Sequence, residues 1–268
     1  MSHERRRKRT LMGCGSAVLL VLLSSCNRER GARQLIRGEP AVQATVVTIR
    51  TTIQPDNKTF VHSLVIGPGR ARSGDEVDRW RLFDWKNSRV TLVDDIAKTC
   101  RTETMPILRE NLRQSALREL PPGFPRIEVV KTGTRRVILE LPATQIVLRA
   151  GTYVRELWIA EHPAIPSGLF AMMIASTPAA SPLSGMMKSA DKELLATSGF
   201  PLADHAEITY ADKKLSVDRD VVKIGKRAVP RSWLNVPSSY RDLTPAAVPQ
   251  NQTPAVPAKR PTTTPPKK

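Results

Sequence analysis

A chain of 268 residues with 42 Lys plus Arg against 25 Asp plus Glu carries a formal charge of +17, and it has only 3 Cys but 22 Pro. That length accommodates one domain able to bury its own core, and the cysteine count excludes a small disulfide-stapled scaffold. The chain opens with a basic head, Arg5, Arg6, Arg7, Lys8 and Arg9, followed by an apolar run from Leu11 to Leu23. The run is shorter than the roughly 20 residues a spanning helix needs, so it predicts an export signal. Arg6-Arg7 lacks the aromatic residue that usually follows a twin-arginine pair, which favours the general secretion route.

Leu23-Ser24-Ser25-Cys26 resembles the bacterial lipobox, in which a leucine and two small residues precede a cysteine that becomes acylated. The resemblance implies a signal peptide over 1–25, diacylglycerol and fatty acyl (palmitate-type) chains on Cys26 as residue one of the mature protein, and a lipid anchor in the envelope membrane. Asn27 after the cysteine, by resemblance to enterobacterial sorting, implies the outer membrane, facing the periplasm. The rivals are a plain secretory peptide cut near Ser25, with Cys26 an ordinary thiol, and an uncleaved short anchor. With Cys14 removed and Cys26 acylated, Cys100 is the one thiol left, so no internal disulfide is expected; a buried strand residue is a more ordinary role for it than a nucleophile.

The leader carries +4 (five basic residues less Glu4) and the segment 245–268 another +4, leaving +9 on the body. Export sets nucleic acid aside as a partner. Anionic head groups or another envelope polyanion are the natural counterparts, beside the reading of a solvated basic surface. Residues 26–40 read as a polar tether, and 245–268, with proline every few residues, as an extended solvated tail.

Between these ends, 41–244 read as one α+β domain. VVTIRTTI and FVHSLVIG alternate about the turn PDN and predict a hairpin. WRLFDW, the turn KNSR and VTLVD repeat the pattern, and AKTCRTE adds a strand ending near Met105. MPILRENLRQSALREL predicts a helix with Pro106 in its first turn and Ile107, Leu108, Leu112, Ala116 and Leu120 at helical spacing, stopped by Pro121-Pro122-Gly123. RIEVVKTG, RRVILELP, TQIVLRAG and TYVRELWIAE are short strand-like runs separated by turn residues. IPSGLFAMMIAS and SPLSGMMKSADKELLATSGF predict helices, the second ended by Gly199, and ITYADKKLSVDRDVVKIGKRAVP predicts closing strands.

The order KTGTRRVILELPA, ELW, SGFPL, KKLSVDRDVVKIGKRAVP and NVPSSYRDL, with VTLVDDIAKTCRTET before it, resembles domain of unknown function 4412 of exported bacterial proteins over about 40–244. Cys100 stands where that family has a tyrosine, and Leu139-Glu140-Leu141 stands in place of its glycine-containing signature. The family is similar to the LolA/LolB-like lipoprotein carriers. The resemblance implies an open, curved antiparallel sheet, an incomplete β-barrel, wrapped around a few helices, with an apolar hollow able to hold acyl chains.

Catalytic constellations are sparse. Glu161-His162 and His205-Ala206-Glu207 set carboxylates beside imidazoles, the minimum for a general base or metal site, yet neither forms a His-Glu-x-x-His set. Ser198-Gly199-Phe200-Pro201 is no nucleophile elbow, and Gly67-Pro68-Gly69 is too short for a phosphate loop. The expectation is therefore a non-enzyme with no metal and no cofactor beyond the acyl groups on Cys26. Candidate ligand-pocket residues are Trp158, Phe170, Met172, Met173, Met186 and Met187; core packing is the competing role for most of them. Two functions follow. One is binding of a hydrophobic or lipidated ligand in the hollow of the sheet, and the other is a structural or interaction lipoprotein using its basic surface and proline-rich tail.

Overall fold

In the computed structural model, residues 39–74, 78–119, 125–177, 184–210 and 213–245 are described. The expected signal peptide, Cys26, the tether up to residue 38 and the tail from 246 onward lie outside them. The elements below all belong to the unit Pro40–Lys268.

Alternating apolar residues make β1 (Ala41–Gln54) and β2 (Lys58–Gly67), joined through Pro55-Asp56-Asn57 as a hairpin. A strand without apolar alternation, β3 (Arg70–Ser73), follows across the two-residue turn Pro68-Gly69, where Gly69 takes φ +80°. Then come β4 (Arg79–Asp84), β5 (Arg89–Asp94) and β6 (Thr99–Thr104), each antiparallel to its predecessor. Helix α1 (Met105–Glu119) starts directly from β6.

The chain resumes as β7 (Glu128–Ile138), β8 (Leu141–Ala150) and β9 (Tyr153–Ala160). RIEVVKTG and RRVILELP thus form one long strand and a turn, not two strands. The register shifts between Lys131 and Arg135 around Gly133, and the chain reverses at Leu139-Glu140, both with positive φ. Such a backbone suits a type I′ hairpin turn, normally made by Asn or Gly. Helix α2 (Leu169–Ala175) and helix α3 (Ser184–Leu194) come next, then β10 (Phe200–Tyr210) and β11 (Lys213–Pro230). Helix α3 ends before Gly199. That glycine instead leads into β10 at φ +90°, where a Cβ would stand 2.8 Å from the Ala160 carbonyl oxygen.

The strands form one open sheet in the order β12-β6-β5-β4-β3-β2-β1-β11-β10-β9-β8-β7, β12 being Arg241–Asp242. All pairings are antiparallel except that of β12 with β6. Helix α2 touches both β4 and β10. Five inter-strand steps separate those strands, about 24 Å in a flat sheet, whereas seven helical residues span only about 10 Å. The sheet therefore curves around the helices.

Its concave face packs on them through the main core, which includes Val47, Leu64, Phe83, Leu148, Leu157, Leu169, Leu194 and Leu202. From α1, Leu108, Leu112 and Ala116 are buried; Ile107, grouped with them by spacing, is 51% exposed. The opposite face is covered by the segment after β11. A 3₁₀ turn (Arg231–Leu234) seats Leu234 against Val65, Ala44 and Val229, and a side chain at Gly67 would collide with Leu234. Val236 and Tyr240 pack on Trp80, Leu82 and Val93. The Tyr240 hydroxyl and the Trp80 indole both donate to Asp95 Oδ1, at 2.7 and 3.0 Å. This strap ends as β12, with Leu243 N–H donating to the Cys100 carbonyl.

Candidate functional site

The helices do not fill the concave face evenly. On one side of α3 the sheet closes onto it through buried charges. Arg155 of β9 grips Asp204 of β10 with two parallel hydrogen bonds of 2.8 Å and donates to Asp191 of α3 at 2.6 Å. Arg219 of β11 donates to Asp204 at 3.1 Å. Burial pushes the Asp204 carboxyl up, but the two guanidiniums more than offset this and hold it below the usual carboxylate range. Burial also pushes Asp191 up, and Arg155 only partly reverses that. Tyr153 is buried beside this cluster, its hydroxyl without a hydrogen-bond partner among the described residues; burial pushes its pKa up to about 12. The residual space here is a pocket of about 50 Å³ between Met187 and β9–β11.

On the other side, toward β4–β6, a cavity of about 480 Å³ remains between sheet and helices, within the usual size range of small-molecule pockets. Register lines up Arg81, Leu92 and Arg101 across β4, β5 and β6, and all three line the cavity. Helix α1 contributes Leu108, Asn111, Leu112 and Ser115, a single stripe at i, i+3, i+4 and i+7. The end of α2 adds Ala175, Ser176 and Thr177, α3 adds Lys188, and Leu243 comes from the end of the strap. Hydrocarbon and charge thus share one space.

The charged lining residues are Arg79, Arg81, Arg101 and Lys188 against Asp94 and Glu103. Arg79 Nε meets Asp94 at 3.2 Å and Arg101 Nη2 meets Glu103 at 2.7 Å. Arg81, 7% exposed, donates to the Thr177 hydroxyl at 3.4 Å, and burial pulls its pKa down to about 10. His62, facing the same concavity from β2, is also pulled below its ordinary value, by burial first and then by the charges of Arg219 and Arg81.

The residues expected from sequence lie elsewhere. Trp158, Phe170 and Met172 belong to the main core, at 8%, 4% and 4% exposure. Met173 is half-buried against that core, and Met187 lines the 50 Å³ pocket. The side chain of Met186 lies outside the described residues. Trp158 carries the Arg136 guanidinium over its ring at 4.1 Å and donates to Glu156 at 2.6 Å. Cys100 is half-exposed, packs beside Trp80 and Val93, and lines the cavity; burial raises its thiol pKa, with the charge of Asp242 adding to this.

His162 Nδ1 accepts from Ala164 N–H at 3.1 Å. The His205 Nδ1 lies 2.6 Å from Asp218 and its Nε2 3.5 Å from Glu207. Lys214 also binds Glu207, at 2.8 Å. Among the described residues, no three His, Cys, Asp or Glu side chains are placed to share a metal ion. None of the described helices is long and apolar enough to cross a membrane.

The cavity was missed because its wall breaks the strand and helix patterns. A usable signal was present: Asn111 and Ser115 sit on the same α1 face as Leu108 and Leu112, and Arg81 shares its strand face with Phe83. Polar residues on core-facing stripes mark a place where the core is not closed.

No family model matches the chain, and no curated protein does. Membership of domain of unknown function 4412 is therefore unsupported. Among solved structures, PNGF-II in C2 and P21 crystal forms is similar, with TM-scores of 0.43 and 0.41 and identities of 12% and 11%. The matches cover 76% and 75% of this chain and 31% of that one, so this chain spans about a third of PNGF-II. A LolA superfamily protein from Nitrosomonas europaea is a weak structural neighbour, with a TM-score of 0.25 and 10% identity over 74% of this chain and 91% of that one.

Proposed function

We propose that this chain is a lipid-anchored envelope protein of the outer membrane, held by acylated Cys26, that binds a hydrophobic or lipidated ligand without catalysis. The observation carrying this reading is the 480 Å³ cavity, walled by Leu92, Leu108, Leu112 and Ala175, under one side of an otherwise well-packed concave face. The leader and lipobox-like sequence support the compartment, which is where acyl chains are abundant. An open sheet wrapped on helices is also an architecture that can part from its helices without breaking its strand ladder.

The test is uptake of an apolar fluorescent probe by the full chain carrying Cys26→Ser, purified without detergent. Saturable binding, lost when Ser115→Trp fills the cavity, is the expected result. Binding that is absent, or indifferent to Ser115→Trp, would overturn it.

A second reading is an interaction protein using a basic surface. It is favoured by the exposed cations Lys131, Arg135 and Arg136 on β7, which is an edge strand, and by Lys223, Lys226 and Arg227 on β11. An acidic polymer retained by the protein regardless of Ser115→Trp would support it.

A further inference from the structure

This inference rests on the second reading, an interaction protein with a basic surface, and it gives that surface a partner of defined shape. The two edges of the sheet are finished differently. At one, β6 is covered by the strap: Arg241 and Asp242 pair with Thr99 and Cys100, and Thr102 N–H donates to the Thr244 hydroxyl at 2.8 Å. At the other, β7 has β8 on one side and no strand among the described residues on the other.

All of β7 but Val130 and Ile138 is exposed. Register sets Val129, Lys131, Arg135 and Val137 opposite Leu148, Ile146, Thr144 and Pro142, which puts the four on the face that continues the concave wall. Val129 is 38% and Val137 73% exposed, so this face reads apolar, basic, basic, apolar about Gly133. The bulge there satisfies itself, since Thr134 N–H donates to Thr132 Oγ1 at 3.2 Å and Thr132 donates to Gln145 at 2.7 Å. Residues 128–131 and 135–138 are left as regular runs.

An open strand edge offers unpaired N–H and C=O groups to any extended chain, and its side chains decide which chain is accepted. A second copy is disfavoured: antiparallel pairing about Gly133 sets Lys131 against Arg135, and like charges directly opposite repel. The ends of the chain itself are disfavoured as well, because 1–38 holds nine Lys or Arg against two Glu, and 246–268 holds four Lys or Arg with no carboxylate.

We propose that β7 is a docking edge that takes up an extended acidic segment of another protein as one further strand. The segment's backbone pairs with the free edge of β7, its carboxylates meet Lys131 and Arg135, and its apolar residues cover Val129 and Val137.

The experiment uses the full chain carrying Cys26→Ser and synthetic peptides of about nine residues in which threonine alternates with glutamate or valine. Beside the parent peptide stand its glutamine analogue, a version N-methylated along the backbone, and polyglutamate. Titration calorimetry should show saturable binding of the parent peptide, weakened at least about tenfold by N-methylation, by glutamine, and by Lys131→Glu with Arg135→Glu. Hydrogen exchange at the β7 amides should slow in the complex. Both substituted residues are exposed, so the unfolding midpoint should not move.

An N-methylated peptide that binds as tightly as the parent overturns strand addition and leaves the basic-surface reading standing. Parent binding indifferent to Lys131→Glu with Arg135→Glu overturns β7 as the site. A dimer of the peptide-free chain that protects the same amides overturns the proposal in favour of a second copy. Failure of every acidic probe to bind, polyglutamate included, overturns both readings.

Discussion

The two sides of α3 are built from the same residue types on the same sheet face, yet they differ in how charge is settled. Toward β9–β11, Arg155 is matched to Asp204 and Asp191, Arg219 leans on the same carboxylate, and about 50 Å³ is left over. Toward β4–β6, charged side chains share the lining with leucines and about 480 Å³ stays open. The contrast separates two uses of buried charge. A reciprocal pair ties a helix to a sheet, while charged and apolar side chains around open volume leave room for a ligand.

The sharpest way to break the comparison is Asp204→Asn. It leaves the buried Arg155 with Asp191 alone of its two carboxylates and should cost about 3–5 kcal/mol in urea unfolding, whereas a loss under about 1 kcal/mol would show that the cluster is not a fastening. On the open side, Ser115→Trp should leave the unfolding midpoint nearly unchanged and weaken apolar-probe binding at least about tenfold, or about 1.4 kcal/mol. A large stability loss there would mean that the space is needed for packing and not for a ligand.

A smaller effect belongs to Tyr153, whose buried hydroxyl has no hydrogen-bond partner among the described residues. Tyr153→Phe should be neutral or stabilise by up to about 1 kcal/mol, since it removes an unsatisfied polar group at little change of shape. Destabilisation by more than that would reveal a bridging group in the 50 Å³ pocket.

The smallest effect is a control on the outer face. Burial alone would lower the His205 pKa, but the hydrogen bond and charge of Asp218, followed by those of Glu207, raise it above its ordinary 6.5. More protons are then bound folded than unfolded, so this stabilisation is fully present below about pH 6.5 and fades as pH rises through the folded value. The stability difference between the parent and Asp218→Asn should shrink from pH 5.5 to pH 8.5. Probe binding should not follow it.

Much of the sheet was legible because it is half-buried: alternation marked β1, β2, β4 and β5, and Pro106 marked the start of α1. Four residues, Arg70-Ala71-Arg72-Ser73, carry no such apolar alternation; β3 is held by its two neighbours in the ladder, by Ala71 in the core and by Arg70, which donates to Asn235 Oδ1 at 2.7 Å. Leu139-Glu140 hid a turn inside an apolar run because neither residue is a usual turn former. Gly199 looked like a helix stop, but it is required by close approach to Ala160. The strap from Arg231 to Leu243 has no periodicity, since it crosses the sheet instead of joining most of its ladder.

For the site, the residues singled out by composition lie mostly in the core, away from the 480 Å³ cavity. Met172, Phe170 and Trp158 are large and apolar, so they fill the core. The cavity is walled where Arg81, Asn111, Ser115 and Lys188 prevent filling. A search for the most apolar residues finds the closed side of the molecule first.

The measurement that bears most directly on the central claim is extraction and mass spectrometry of lipid from the full chain carrying Cys26→Ser, exported to the periplasm and purified without detergent, beside its Ser115→Trp variant. The expected result is a defined lipid, near one per protein, in the first and none in the second. A parent protein as empty as the variant would contradict it.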